Sequence, residues 1–467
     1  MSNSRNKYLI KNTLLFTLGN LGSKIITFFL IPLYTNALTT AEYGVVDLVT
    51  TVSTVAIPIL TINICESVMR FALDKNANQE EITQIGTFIL ILACLFGIIA
   101  IPICAQFEQI SSYSVLIYFY IITLAASQLY LCDLRGKELL LYYSIGNILH
   151  TFLIAIFNIL FLLSFKMGIQ GYLLAFILAN LITVCYSVIA GKGYRSFKFK
   201  RINKKLLKNM SKYSMVLIPN SFMWWIMNSS DRIMVTSMVG IAANGIYAVS
   251  YKLPTLVSTL TSIFNQAWSY SAIKEEGSND ENEYNNHIFK FLTGGVMLIG
   301  IGLLTIVKPF LQVYVSNEFI SAWKYTPFLI IGYVYLTLGS FMATSYTVHK
   351  DSFGYLFSGM FGAIINIVLN FWLISWIGVY GAAISTCISY IFVFLFRLIH
   401  TRKYIKYNVK NMEFIFGSFI LILSAGAIFI NNIIGLIIQI LLFIIAIFAL
   451  KSSWGPILKK VICTKRM

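Results

Sequence analysis

Charged residues are scarce in this sequence of 467 amino acids. They make up 11% of the chain, whereas hydrophobic residues make up 58%, and the mean hydropathy is +0.78. A soluble domain typically contains about 25% charged residues. The shortage excludes an ordinary soluble protein and predicts an integral membrane protein that crosses the bilayer many times.

Signatures of catalysis and of metal binding are also missing. There is no HExxH motif and no GxxxxGK[ST] motif, because the GNLGSK segment at 19–24 has the wrong spacing. No loop is long enough for a catalytic domain. We therefore predict a transporter rather than an enzyme, with no catalytic residues, no metal and no cofactor. The seven cysteines lack a CxxC pair, and we expect them to pack as small apolar side chains, not as disulfides.

Fourteen apolar segments are long enough to cross a bilayer, which predicts an all-α membrane fold. They cover roughly 12–37, 43–67, 82–105, 113–133, 139–164, 169–191, 211–238, 244–272, 286–307, 322–348, 353–376, 379–400, 411–430 and 432–451. The last two segments meet at Asn431 and Asn432, so they form a helical hairpin.

The distribution of lysine and arginine predicts the orientation of the chain in the membrane. With both termini in the cytoplasm, only Lys166, Lys308 and Lys324 of the 35 basic residues fall outside, and three more lie within segments. Nine basic residues lie in the loop 192–212. This asymmetry accounts for the net charge of +17 without a nucleic-acid partner.

A weak repeat lies on either side of this basic loop. The turn at 37–48 matches that at 238–249 with an offset of 201, and 168–176 matches 378–386 with an offset of 210. The first pair of turns joins the first and second helices of each half, and the second pair joins the fifth and sixth. We therefore predict two six-helix lobes and an added helix pair, with a substrate site between the lobes near the midplane. The predicted boundaries are 1–191 for the first lobe, 192–210 for the linker, 211–405 for the second lobe and 406–467 for the helix pair and tail.

The first segment carries a lysine at its centre. About 12 residues lie on either side of Lys24, so its ammonium lies more than roughly 15 Å from each end of the helix. A lysine at that depth costs roughly 2.5–3.5 kcal/mol unless it faces protein or water. Two arrangements would remove this cost: a water-filled cavity, or a polar helix contact in which Lys24 pairs with a carboxylate.

Polar residues follow one helical face in the first two segments of each half. In the first segment the spacing of 4, 3, 4, 3 from Thr13 to Thr27 places Lys24 on such a stripe. Four stripes that face one another would enclose a cavity. Its predicted cations, which would bind an anionic substrate, are Lys24, Arg232 and Lys252; its neutral polar lining is Asn20, Thr27, Asn220, Asn228 and Gln266.

The acidic residues of these segments, Asp47, Glu66 and Asp231, are candidates for coupling to an ion gradient. Each charged residue also has a simpler interpretation. Glu66 and Arg70, at i and i+4, form either a gate or an intrahelical ion pair. Asp47 lies either in the cavity or at the outer interface, and Lys252 either binds substrate or extends outward to the headgroups.

For other polar residues within the segments, we expect contacts between helices. Asp231 and Arg232 are adjacent and point about 100° apart on a helix, so each needs a further partner. His150 is either a proton relay or, as we prefer, hydrogen-bonded within the bundle. Interhelical hydrogen bonds are expected for Asn158, Asn180, Asn366 and Asn370.

Three stretches resemble a known family. They are 11–75, 228–254 with its Asp-Arg and Gly-x-Tyr pattern (NSSDRIMVTSMVGIAANGIYAVSYKLP), and 365–404 with its asparagine pair and GAA-x-S/T turn. In this order they are similar to the Wzx-type polysaccharide-unit flippases of the multidrug/oligosaccharidyl-lipid/polysaccharide exporter (MOP) superfamily, and the resemblance covers nearly the whole chain.

The resemblance implies a MATE-like fold and a flippase of the bacterial cytoplasmic membrane. Its substrate would be an undecaprenyl-pyrophosphate-linked oligosaccharide of an O-antigen, capsule or exopolysaccharide pathway, and its partners the bilayer and polymerase or export proteins. Two lobes would alternate around a cationic cavity whose charges are Lys24, Asp231, Arg232 and Lys252. An ion gradient would drive them.

Two other functions are weighed against the flippase. A MATE-type multidrug or cation antiporter predicts an acidic cavity, whereas here the basic residues match or outnumber the acids. A membrane glycosyltransferase or polymerase predicts a sizeable outside loop, and the outside loops are short.

Overall fold

Helices and short turns make up the described part of the chain, and no strand occurs in it. The computed structural model describes residues 22–74, 77–99, 101–102, 105–106, 110–194, 202–430 and 433–453. The side chains at 220, 263, 266, 267, 270 and 274 lie outside this description.

The helices follow the order of the predicted segments. In the first half they are α1 at 22–37, α2 (Thr40–Leu60), α3 (Ile64–Ala72), α4 (Gln79–Gly97), α5 (Ser114–Gly136), α6 (Leu140–Asn158), which continues as the π-helical turn Ile159–Ser164, and α7 (Gly168–Ala190). In the second half they are α8 (Lys204–Met238), α9 (Ile241–Ser250), α10 (Pro254–Lys274), α11 (Glu281–Tyr314), α12 (Thr326–Val348), α13 (Ser352–Ile377), α14 (Val379–His400), α15 (Met412–Ala427) and α16 (Ile433–Ala449). Short 3₁₀ helices span Ser111–Tyr113, Asn317–Lys324 and Thr401–Lys403.

Each of the fourteen predicted segments contains helix. In the described ranges, nine helices are long and apolar enough to cross a membrane, and α9, α15 and α16 are shorter apolar helices. The predicted all-α membrane fold is confirmed, and the chain is a multi-pass membrane protein.

Local sequence explains where helices begin. The T-x-x-E pattern at the start of α2 forms a capping box, in which the Thr39 hydroxyl accepts the Glu42 N–H and the Glu42 carboxylate accepts the Thr39 N–H. Asp351 caps α13 by accepting the Gly354 N–H at 2.8 Å. Each cap satisfies backbone N–H groups that have no partner within the helix.

Two predicted segments are built from two helices instead of one. The turn 61–63 separates α2 from α3, and both Ile62 and Asn63 have positive φ there, 47° and 54°. The turn 251–253 separates α9 from α10, whose first residue is Pro254. Proline cannot donate the backbone hydrogen bond that would continue α9. Interrupted helices within transporters commonly line binding sites.

Contacts divide the chain into two units, Met1–Trp225 and Ile226–Met467. The division falls within α8. The lobe and linker boundaries drawn from the sequence remain a prediction.

In the second unit, α12 lies at the centre, because nearly all of its residues are buried. By contrast, α13 is buried along a single stripe at intervals of four, which begins with Gly354, Ser358 and Gly362. A Cβ atom on Gly362 would lie 2.3 Å from a methyl group of Val393 on α14. The small residues therefore let α13 and α14 pack closely.

One expectation about the cysteines is wrong. Cys65 on α3 and Cys132 on α5 form a disulfide. The two residues are far apart in sequence and carry no spacing signal; the packing of α3 on α5 brings their Cα atoms to 5.9 Å.

Candidate functional site

A buried carboxylate lies within the second unit. Asp231 on α8 is 1% exposed. Its Oδ2 accepts hydrogen bonds from the hydroxyls of Tyr247 at 2.7 Å, of Thr386 at 3.2 Å, and of Tyr251. Its Oδ1 accepts the backbone N–H of Arg232 at 3.0 Å. Four donors thus surround a carboxylate that is shielded from solvent.

The two tyrosines occupy neighbouring positions on one helical face. Tyr247 on α9 and Tyr251 just after it are four residues apart, both are fully buried, and their hydroxyls lie 3.2 Å from each other. The break of the helix after Ser250 does not disturb this pairing. Tyr247 is the tyrosine of the Gly-x-Tyr pattern noted in the sequence.

Two asparagines of α13 extend the network. Asn366 donates to the Thr386 hydroxyl at 3.4 Å, and its Oδ1 accepts from Ser230 at 3.2 Å and from Asn370 at 2.9 Å. The Oδ1 atom of Asn370 is buried and receives no hydrogen bond from any described residue. We name Asp231, Tyr247, Tyr251, Asn366, Asn370 and Thr386 the Asp231 cluster.

The chemistry of the Asp231 cluster suits a small cation. It offers one carboxylate together with amide and hydroxyl oxygens, which are hard ligands. An unsatisfied buried acceptor is costly, and a cation or a proton donor would remove that cost at Asn370. Transporters commonly hold coupling ions within such interrupted-helix regions.

Two of the three stretches that carry the family resemblance supply the residues of the Asp231 cluster. The Asp-Arg pair supplies Asp231, the asparagine pair supplies Asn366 and Asn370, and Thr386 directly follows the GAA-x-S/T motif, which ends at Ser385. The structure brings these three motifs into one hydrogen-bonded cluster.

The predicted cavity cations lie in different local settings. Lys24 is exposed on α1. Lys252 is half-buried in the turn between α9 and α10. Arg232 is half-buried, and its guanidinium carbon lies 4.8 Å from the centre of the Tyr251 ring, a cation–π contact. Arg232 therefore adjoins the Asp231 cluster directly.

The predicted polar lining is described only in part. Asn20 lies outside the described residues, and so do the side chains of Asn220 and Gln266. Thr27 is exposed, and its hydroxyl donates to the Ser23 carbonyl within α1 at 2.9 Å. Asn228 accepts a hydrogen bond from Tyr390 at 3.1 Å, so it takes part in packing α8 against α14.

The other acidic candidates are separate from the Asp231 cluster. Asp47 is buried in α2, at 6% exposure, and Glu66 is exposed on α3. The suggested Glu66–Arg70 ion pair is wrong: Arg70 pairs with Asp74 at 2.7 Å. Asp74 lies two residues beyond the end of α3, and Arg70 pairs with it instead of with Glu66 one turn back on the helix.

The hydrogen-bonding role preferred for His150 is confirmed. Its Nε2 lies 2.7 Å from Asn180 Oδ1, and the Asn180 amide donates to Thr123 at 3.2 Å. Asn158 differs from the expectation, since its amide donates to the Ile154 carbonyl of its own helix.

Sequence reasoning missed two groups of residues. Tyr247 and Tyr251 have the spacing of a helical pair but look like ordinary apolar-segment aromatics. Asp133 is 2% exposed and binds Thr83 at 2.6 Å and Lys137 at 2.6 Å. The i, i+4 spacing of Asp133 and Lys137 is the signal that could have found this pair.

Comparison with known sequences matches the family described as polysaccharide biosynthesis protein, over residues 9–270. An uncharacterized membrane protein of Methanocaldococcus jannaschii is 27% identical over an alignment of 270 residues, and the alignment covers 53% of this chain. The match spans 62% of that relative, less than two thirds of its length.

Solved structures share the fold. The lipid II flippase MurJ in an inward closed conformation has a TM-score of 0.68 at 14% identity, with 95% of this chain and 100% of MurJ covered. An inward-facing multidrug resistance MATE family transporter of the MOP superfamily has a TM-score of 0.62 at 13% identity, covering 83% of this chain and 94% of that one. A MOP superfamily transporter from Pyrococcus furiosus has a TM-score of 0.51 at 13% identity, covering 84% and 94%.

At these identities the structural likeness establishes the fold alone. The family match covers more than half of the chain and includes two of the three motif stretches, 11–75 and 228–254. The protein therefore belongs to the polysaccharide biosynthesis protein family.

Proposed function

We propose that the protein is a flippase that moves an undecaprenyl-pyrophosphate-linked oligosaccharide from the cytoplasmic to the outer leaflet of a bacterial cytoplasmic membrane. Family membership supports a polysaccharide pathway, and the fold is shared with a lipid II flippase. The two lobes open the substrate site alternately to the two sides of the membrane, and binding of a cation at the Asp231 cluster drives this change. The orphaned Asn370 oxygen within this buried acidic network is the observation that carries the coupling.

The basic residues of the segments hold the pyrophosphate. Lys24 is exposed on α1, and Lys252 lies in a non-helical turn, where a long side chain can reach a substrate. Arg232 contributes a planar guanidinium that can bind two phosphate oxygens at once. The three cations recognise the charged headgroup, which is common to substrates with different sugars.

Coupling to an inward cation gradient requires exchange, because the lipid moves outward. The lobes must carry the headgroup in one direction and the cation in the other, so each ligand lowers the affinity for the other. Linkage makes the two reductions equal, typically about 5- to 150-fold.

Transport by purified protein in proteoliposomes tests the proposal. A fluorescent lipid-linked oligosaccharide should become accessible from the opposite leaflet, faster with a sodium or proton gradient than without. Asp231→Asn should abolish the dependence on the gradient. Glu318→Gln, which changes an exposed acid of the second unit, is the control and should transport normally. Failure of the wild-type protein to move the lipid under every gradient would refute the proposal.

A multidrug or cation antiporter is the second candidate, since the fold is shared with a MATE transporter and the second unit holds a buried carboxylate. It predicts gradient-driven uptake of cationic dyes by the same proteoliposomes. Dye transport without movement of lipid-linked oligosaccharide would favour the antiporter.

A further inference from the structure

A cavity of about 240 Å³ lies between α11 and the helix pair α15–α16. Its polar lining consists of Lys308 and Gln312 on α11 and Gln439 on α16, and apolar residues such as Ile428 and Leu436 complete the wall. All of these residues belong to the second unit, and none belongs to the Asp231 cluster. The charge distribution of the loops predicts that this end of α11 faces the outer side of the membrane.

Gln439 is the unusual residue of this cavity. It is the one hydrogen-bonding side chain in the helix Ile433–Ala449, and it is 4% exposed. Its Nε2 is buried and has no hydrogen-bond partner among the described residues. A buried donor without an acceptor is costly, so an acceptor that enters the cavity from outside the protein would stabilise this arrangement.

Lys308 gives the cavity a positive charge. Its ammonium lies 4.1 Å from the centre of the Trp323 ring, a cation–π contact that holds the half-buried side chain in place. Together with the amides of Gln312 and Gln439, the ammonium forms a set of donors around one space. Donors without a carboxylate in the lining suit an anion with several acceptor oxygens, such as a phosphate.

The surface beside the cavity is apolar and exposed. Ile433, Leu436 and Ile440 on α16 are 75%, 41% and 43% exposed. A free phosphate ion would gain nothing from this surface, whereas the acyl chain of a lipid would lie against it. A phosphate and an apolar chain are the two parts of a phospholipid.

The backbone packs closely at one edge of the cavity. A Cβ atom on Gly435 would clash with the carbonyl oxygen of Ile430, in the segment that follows α15. Both residues line the cavity.

We propose that this cavity binds the phosphate headgroup of an anionic phospholipid of the outer leaflet, with Lys308 and Gln439 as its ligands. The site is separate from the Asp231 cluster and does not depend on the proposed transport activity. Basic pockets between membrane helices on the cytoplasmic side bind lipid headgroups through the same charge attraction.

Native mass spectrometry of the delipidated full chain tests the site. Phosphatidylglycerol should bind more tightly than the zwitterionic phosphatidylcholine. Lys308→Gln should weaken phosphatidylglycerol binding by about tenfold or more, since it removes a charged hydrogen bond. Gln439→Leu should weaken it several-fold. Lys324→Gln, a change of an exposed lysine on the same predicted side that does not line the cavity, should leave binding unchanged.

Several results would overturn the proposal. Equal loss in Lys308→Gln and Lys324→Gln would mean that only general surface charge matters. Inorganic phosphate that raises the melting temperature of delipidated protein in a Lys308-dependent way, and as much as the lipid does, would assign the site to a free ion. If Lys308→Gln unfolds the protein, Gln439→Leu decides, with its fold checked by its melting temperature: unchanged phosphatidylglycerol binding by this variant would refute the site.

Discussion

The orphaned oxygen of Asn370 makes the cation site testable without a transport assay. Asn370→Leu removes a buried acceptor that lacks a partner, which costs about 1–3 kcal/mol in the native protein. It also removes the hydrogen bond to Asn366, worth about 0.5–1.5 kcal/mol. In buffer without a coupling cation, the stability of the variant should therefore lie between about 0.5 kcal/mol below and about 2.5 kcal/mol above that of the native protein.

Addition of the coupling cation should make the native protein gain stability relative to Asn370→Leu. A cation at ten times its dissociation constant stabilises the native protein by about 1.4 kcal/mol, and the increment should vanish in Asn370→Leu. Thermal unfolding in detergent, followed by tryptophan fluorescence, measures both quantities. Choline chloride and sodium chloride are compared at equal ionic strength, and a pH series tests the proton.

Asn180→Leu is the matched control, because both ends of the Asn180 amide are used, by His150 and Thr123. It should lower stability by about 1–3 kcal/mol in every salt and keep the response to the cation. A full cation response in Asn370→Leu would refute the role of the orphaned oxygen. If neither a monovalent cation nor a proton stabilises the native protein, the Asp231 cluster is not a cation site.

Three further predictions concern other parts of the chain. Lys24→Ala should abolish flipping in proteoliposomes at normal membrane abundance, while Lys24→Arg keeps part of the activity; full transport by the alanine variant would refute the cationic role. The hydrogen bond from Lys403 and the Gly354 N–H lower the pKa of Asp351 from 3.8 to about 2. After allowance for solvent screening, we expect the ionised Asp351 to stabilise the folded protein by about 1 kcal/mol. This stabilisation is complete above pH 4 and is lost as the pH falls through 2. Unfolding midpoints measured across pH should show it in the native protein and not in Asp351→Ala. Gly362→Val should lower stability by about 1–3 kcal/mol through overpacking against α14, whereas Gly359→Val, at a position on α13 with open space, should not.

The sequence alone determined the helices and the membrane. A bilayer requires about 20 apolar residues per crossing, and this requirement is local, so fourteen segments can be counted directly. Helix starts are local as well: Thr39 and Glu42 announce the capping box of α2 through their spacing. The three family motifs could also be recognised from the sequence, because each is a short continuous pattern.

Partners that lie far apart in the chain were decided by tertiary structure. Asp231 was recognised as a buried charge in need of a partner, but Thr386 reaches it only because α14 packs beside α8. Cys65 and Cys132 meet only because α3 packs on α5. Arg70 had a carboxylate one turn away in each direction, and a sequence pattern cannot choose between them.

The asparagines show this limit most clearly. Asn180 and Asn370 are each an amide in an apolar segment, and the sequence predicts the same interhelical hydrogen bonds for both. The structure satisfies both ends of the Asn180 amide and leaves one oxygen of Asn370 without a donor. Hydrogen bonding depends on distances of a few tenths of an ångström between helices, which no periodicity records. The sequence determined that polar groups lie within the membrane, and only the packing of the helices decided which of them can still take a ligand.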